Sequence, residues 1–191
     1  MATVRDGNKR VLLVVDVQVG VMDESWDAPR IIKNVSRAVE RARAQGVPVL
    51  WVQHSAEDLL QGSPEWRWVP ELEPADGEPL IHKRFNSSFE QTTLEGELAK
   101  LGATHIVLAG AATNWCIRAT AYAALERGYD LTLIKDAHTT GTMELDHGVR
   151  IEAASVIQEL NIAMTWLSYP GRANGTATAD EVDFAPAPDA R

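Results

Sequence analysis

The chain has 191 residues and a single cysteine, Cys116. One cysteine excludes an internal disulfide and leaves one thiol free for chemistry. Positive charge is also scarce: 18 Lys and Arg stand against 27 Asp and Glu, a formal net charge of -9. A nucleic-acid partner calls for a basic face, so none is expected. No apolar run approaches the ~18 residues of a membrane-spanning helix, and no membrane partner is expected. The opening MATVRDGNKR lacks the apolar stretch of a signal peptide, which together with the lone thiol predicts a cytoplasmic location. There is no internal repeat. What remains is ordinary for a globular protein: 45% hydrophobic and 24% charged residues, in a length that suits one domain with a sizeable core.

Short β-branched, almost wholly apolar runs suit strands buried on both faces of a parallel sheet. RVLLVVDV (10–17), VPVLWVQ (47–53), PLIHK (79–83), THIVLAGA (104–111), DLTLIKDA (130–137) and NIAMTW (161–166) fit that description. Helices are predicted between them. Over 27–46, Ile31, Val35, Ala38, Val39 and Ala42 recur at helical spacing, with Asp27 as N-cap, Pro29 in the first turn and Gly46 closing the end. Further helices are predicted over 89–102, 114–129 and 146–160, the last with Asp146 as N-cap. Residues 19–26 and the proline-rich stretch 54–79 read as loops; a loop as long as the second is usually functional or disordered, and Trp66 and Trp68 argue against disorder. The strict alternation implies an α/β protein, a doubly wound sheet with right-handed crossovers. Residues 171–191 lose all periodicity, so the domain is expected over 1–170, followed by a tail that is flexible or packs on a neighbouring subunit.

In open α/β sheets, sites form at the carboxyl ends of the strands. Three reactive residues fall at three such ends: Asp16, Lys83 and Cys116. Taken singly, each has an ordinary explanation: Asp16 as a strand end, Lys83 as a solvated charge, and Cys116 as a small buried hydrophobe. Together they supply a nucleophile, a base and a cation. At the start of a helix, unpaired N–H groups and the helix dipole favour a Cys116 thiolate, and a Lys83 ammonium nearby favours it further. An Asp16 carboxylate can take the thiol proton and return it to a leaving amine. Backbone N–H groups of the strand-turn-helix segment can form an oxyanion hole, often worth ~3 kcal/mol per donor.

DVQVGVMD (16–23), HKRFNSSF (82–89) and GAATNWCIRATAYAALERGYDLTLIKDA (110–137) resemble the three signature blocks of the isochorismatase-like cysteine hydrolases, a superfamily that includes nicotinamidases, N-carbamoylsarcosine amidase, ureidoacrylate and biuret hydrolases and streptothricin hydrolase. The resemblance covers about residues 10–168. It implies a three-layer α/β/α fold with a six-stranded, mostly parallel sheet. It also implies a covalent acyl-enzyme on Cys116, with Asp16 as base, Lys83 as stabilising cation, a non-proline cis peptide at Ala111–Ala112, and an oxyanion hole formed by the N–H groups of Ala112 and Cys116. Gln18, Trp26, Phe85, Ser87 and Trp115 are candidate pocket residues by their proximity in sequence to these blocks, and Trp66 and Trp68 could supply apolar walls. Homo-oligomers are common in such a family, so a dimer or larger assembly is expected.

Some relatives hold a metal through an Asp-x-His pair and a further His after the second strand. Here that region offers His54 and Asp58, too few for a site, while His138, Asp146 and His147 are explained by loop and cap roles. No metal or other cofactor is expected. The expected reaction is hydrolysis of a C–N bond in a small amide, lactam, carbamoyl or ureido compound. Two alternatives stand beside it: hydrolysis of the vinyl ether of isochorismate, which in this family runs through the aspartate without a cysteine, and a non-catalytic binding or scaffold role on the same fold.

Overall fold

The computed structural model describes residues 2–185. Chain order is β1 (Lys9–Val15), α1 (Val19–Asp23), α2 (Ala28–Ala44), β2 (Val49–His54), β3 (Leu80–Lys83), α3 (Leu94–Leu101), β4 (Ala103–Ala111), α4 (Arg118–Glu126), β5 (Asp130–Thr139), β6 (Met143–Glu144), β7 (Arg150–Ile151), α5 (Ala153–Trp166) and β8 (Asn174–Ala177). Six strands form one parallel sheet in the order β3-β2-β1-β4-β5-β8. Among the described residues, no helix is long and apolar enough to cross a membrane.

The apolar strands are buried on both faces, as their composition demands. Val11, Leu13 and Val15 of β1 pack toward α3, α4 and α5, where they meet Leu98, Leu125 and Leu160. Leu12 and Val14 face the opposite layer, where α2 presents the expected Ile31, Val35, Ala38, Val39 and Ala42. The three-layer α/β/α architecture follows from these two apolar surfaces. Where β4 passes β1, Gly110 pairs with Val15 at φ +125°, and a Cβ there would lie 1.9 Å from the Val15 carbonyl oxygen. Only glycine permits this approach, which draws the ends of the two central strands together.

Several boundaries differ from the sequence expectations. Asp27 precedes α2 but makes no capping hydrogen bond; its carboxylate pairs with Arg30 instead. A short helix, α1, occupies part of the 19–26 segment. Residues 143–151 form the small antiparallel pair β6–β7 around a turn at Asp146–Gly148, so Asp146 caps no long helix. The last helix runs from Ala153 to Trp166 and absorbs NIAMTW. Its buried positions are Ala153, Val156, Ile157, Leu160, Asn161 and Met164, a helical spacing that a six-residue apolar run cannot reveal by itself.

The expected tail is the largest correction. Residues 174–177 are the sixth strand, pairing Leu131–Ile134 of β5 in parallel register. NGTA is polar because it sits at a sheet edge, so its side chains carry little of the pattern by which the central strands are recognised. It is held by side chains as well as by the ladder: Asn174 Nδ2 donates to the carbonyls of Met164 and Leu167. Beyond it, Ala179, Val182 and Phe184 are buried against the α2 face, and Arg41 donates to the carbonyls of Ala179 and Val182 at 2.5 and 3.0 Å. The domain therefore extends through this segment, which packs on its own chain; the rest of the expected tail, 186–191, lies outside the described residues. Replacing Phe184 with Ala should cost about 3–5 kcal/mol of stability in urea unfolding. A loss below about 0.5 kcal/mol, as for an unpacked surface position, would contradict this packing.

Candidate active site

The sheet order brings the three strand ends together, because β3, β2, β1 and β4 are consecutive neighbours. Asp16 follows β1 with φ +51°, a conformation that Asp tolerates better than most residues. Lys83 ends β3. Cys116 lies in a π-helical turn, Thr113–Ile117, between β4 and α4. The Lys83 ammonium is the meeting point: it lies 2.6 Å from Asp16 Oδ2 and donates to Cys116 Sγ at 3.1 Å. Its side chain and that of Asp16 are buried, and Cys116 is 8% exposed.

A fourth group completes the arrangement. His54 Nδ1 lies 3.2 Å from Lys83 Nζ, so the ammonium has the thiol and the imidazole as hydrogen-bond partners beside its ion pair with Asp16. Accepting through Nδ1 leaves the imidazole neutral with its proton on Nε2, and burial followed by the Lys83 charge lowers the His54 pKa in agreement. On sequence grounds His54 entered only as a metal donor. The signal available was its place at the end of β2, in register with Lys83. Among the described residues, no cluster of three or more His, Cys, Asp or Glu side chains could hold a metal ion. His54 directs Nδ1 to Lys83.

Burial reverses one expectation about the thiol. The Cys116 pKa is pushed up to about 12, first by desolvation and then by the Asp16 carboxylate, which together outweigh Lys83. The resting sulfur is therefore a thiol and not a thiolate. Asp16 is itself raised above the ordinary carboxylate range, because desolvation exceeds the stabilisation from Lys83. Both of its oxygens are buried and neither accepts a hydrogen bond of ordinary geometry, while Cys116 lies near enough to act on the carboxylate as a donor. A proton acceptor with a vacant lone pair thus stands beside a protonated thiol.

The turn that carries Cys116 is tied down from behind. The Ala111–Ala112 peptide is cis, as the resemblance implies, and the Ala112 carbonyl accepts from the N–H groups of Trp115 and Ile117, both at 3.1 Å. Thr113 Oγ1 lies 2.9 Å from His138 Nδ1, and His138 Nε2 lies 2.9 Å from Asn161 Oδ1 on α5. Asn161 spends its amide donor on the Lys135 carbonyl. Its oxygen must then accept from His138, and His138 in turn accepts from Thr113. Burial lowers the His138 pKa to about 4, so this chain of bonds is neutral at ordinary pH.

The expected pocket residues divide. Gln18 is fully buried, and its amide is consumed: Nε2 donates to the carbonyls of His54 and Trp66, and Oε1 accepts from the His54 N–H. It fastens the loop after β2 to β1 and has nothing left for a substrate. The Ser87 hydroxyl accepts from the Phe89 N–H, a local turn role. Trp26 is 41% exposed and packs under Arg30. Trp68 packs edge-on against Trp51 in the interior. Trp115, 54% exposed, stands next to Cys116 on the same turn, and Phe85, 47% exposed, lines a cleft shared with Lys83.

Removing the Asp16 charge should uncouple thiol acidity from function. In Asp16→Asn, the Cys116 pKa should fall, since the carboxylate raises it and Lys83 remains. This is read as thiolate absorbance near 240 nm (~) appearing at lower pH than in the parent chain. A thiol pKa that rises or stays fixed would mean that Asp16 does not govern the sulfur.

Comparison with known proteins places the chain in a family. The Isochorismatase domain model matches residues 10–166. Streptothricin hydrolase of Streptomyces noursei is 29% identical over 184 residues, covering 93% of this chain and 68% of the relative. Ureidoacrylate amidohydrolase RutB of Methylorubrum extorquens is 26% identical, covering 95% and 88%. The crystal structure of an isochorismatase from Pseudomonas putida KT2440 superposes with a TM-score of 0.80 at 24% identity over 92% of each chain, a likeness of fold. The chain belongs to the isochorismatase family and is a hydrolase of that fold.

Proposed function

We propose that this hydrolase cleaves a C–N bond of a small molecule through an acyl-enzyme on Cys116. The observation that carries the reading is the single buried ammonium of Lys83 in contact with both a carboxylate and the only sulfhydryl of the chain. The relatives named for streptothricin hydrolysis and for amidohydrolysis of ureidoacrylate support the same bond class.

The electrostatics dictate the order of events. A thiol with a pKa near 12 is a poor nucleophile until its proton is removed, so deprotonation and attack go together. Asp16 takes the proton as sulfur adds to the carbonyl carbon. Negative charge then builds on the carbonyl oxygen, and the N–H groups of Ala112 and Cys116 are assigned to it as an oxyanion hole. Lys83 holds the carboxylate in place and offsets the charge developing nearby. When the tetrahedral intermediate collapses, Asp16 returns its proton to the departing amine. The resulting thioester is hydrolysed by a water deprotonated by the same carboxylate, releasing the acid and restoring the thiol.

Cys116→Ala should abolish amine or ammonia release in a chain that still folds, as read by circular dichroism, and Cys116→Ser should fall by at least ~100-fold, the scale on which losing a well-placed catalytic group is felt. Turnover of isochorismate that survives in Cys116→Ala would transfer the assignment to vinyl ether hydrolysis by Asp16; amide turnover that survives would remove the sulfur from the mechanism. The pH profile offers an independent check. Asp16 must be ionised to act as base, and its pKa is raised. The acid limb of kcat/KM should therefore lie above the ordinary carboxylate range of ~4, and a limb at or below it would contradict the assigned base.

A further inference from the structure

We propose that the cleft beside Lys83 is an anion-recognition subsite in which Arg84 receives a carboxylate carried by the substrate, so that the enzyme prefers acidic amides or ureido acids to neutral ones. The proposal rests on the hydrolase reading above and adds a substrate class to it.

The cleft has a volume of about 240 Å³, which suits a small polar fragment. Besides Lys83 it is lined by Ser55, Gln61, His82, Arg84, Phe85 and Gln91. No carboxylate lines it, although acidic residues outnumber basic ones by 27 to 18 along the chain. The charges that do line it are both positive, and they differ in one respect. Lys83 is neutralised by Asp16, whereas Arg84 is exposed and forms no hydrogen bond or ion pair among the described residues. Several other arginines near the surface are paired with acids, as in Arg37–Asp180 and Arg43–Glu78. A free guanidinium at the mouth of a cleft without acids is a fork-shaped donor whose best partner is a carboxylate, bound through two parallel hydrogen bonds.

The walls of the cleft are fixed. Trp66 stacks on the His82 ring, with centroids 5.7 Å apart and planes inclined by 23°. Its indole N–H donates to Ser55 Oγ at 2.9 Å, and its carbonyl accepts from the amides of Gln18 and Gln53, each at 2.8 Å. The half-exposed Phe85 ring offers a flat apolar surface for the carbons that join the two ends of a substrate, and Gln61 and Gln91 add neutral donors. The subsite is also close to the chemistry. Lys83 belongs to the cleft and also touches the sulfur at 3.1 Å, and Arg84 is the next residue, about 3.8 Å away along the backbone. Both side chains line the same cleft, so one substrate can reach Arg84 with its carboxylate and the sulfur with its carbonyl.

The test compares substrates matched in shape but not in charge: succinamate against 4-methylpentanamide, and 3-ureidopropanoate against (3-methylbutyl)urea. A charge-assisted pair predicts that kcat/KM favours the acid by at least about tenfold at low ionic strength, with the preference shrinking as salt is added. Arg84→Gln should bring the acid-to-neutral ratio within about threefold, and Arg84→Lys should keep part of it. A ratio near one in the parent chain, or one unchanged by Arg84→Gln, overturns the proposal. If neither pair is hydrolysed in a Cys116-dependent way, the hydrolase reading has failed, and the subsite is judged by calorimetry with succinate alone. Binding that weakens at least about tenfold in Arg84→Gln upholds the subsite, and absence of binding, or binding unaffected by the substitution, overturns it.

Discussion

A buried ammonium organises this molecule. Taking the Lys83 charge out of water costs several kcal/mol even after relaxation, a cost that an opposite charge and hydrogen-bond partners offset. Asp16 supplies the charge and Cys116 and His54 the partners, and each is delivered by a different strand end or turn. The positions of β1, β2, β3 and β4 are thus coupled through one nitrogen. The close approach of Gly110 to Val15 and the anchoring of the post-β2 loop by Gln18 serve the same convergence.

That convergence also decides the charge state. With Asp16 ionised and Lys83 protonated, the group is neutral overall, and a thiolate would add an uncompensated buried negative charge. The resting sulfur therefore keeps its proton. In the proposed mechanism this makes the thiol inert when no substrate is bound, and it places the burden of activation on the Asp16 carboxylate. The neutral His138 relay fits the same economy: it ties the Cys116 turn to α5 without adding charge near the sulfur.

How much of this was legible in the sequence depended on what each residue's neighbours have in common. Asp16, Lys83 and Cys116 could be found because reactive residues interrupt or follow apolar runs, and the rule of strand carboxyl ends turns such interruptions into positions in space. The core face of α2 was legible for the same reason, since five apolar residues keep one period. His54 was passed over because its partner is remote in sequence and its value comes from parallel register, which propensity does not encode. Gln18 looked like a pocket residue because it is near Asp16, yet burial turned its amide inward. NIAMTW failed as a strand because its helical period becomes apparent only when joined to the residues before it. The direction of the thiol pKa was misjudged because helix position and a neighbouring cation are visible in sequence, whereas the depth of burial is not.

The placement of β8 and Phe184 bears on how the chain reaches its native state. During synthesis, β5 has an unsatisfied ladder edge until residues 174–177 emerge, and the groove on the α2 face stays open until Phe184 follows. The central strands and all the residues around Lys83 are by then already made. The nascent protein must therefore hold its reactive centre together while one sheet margin and one apolar surface are still bare, a stage at which an edge strand from another molecule could pair with β5 in place of β8.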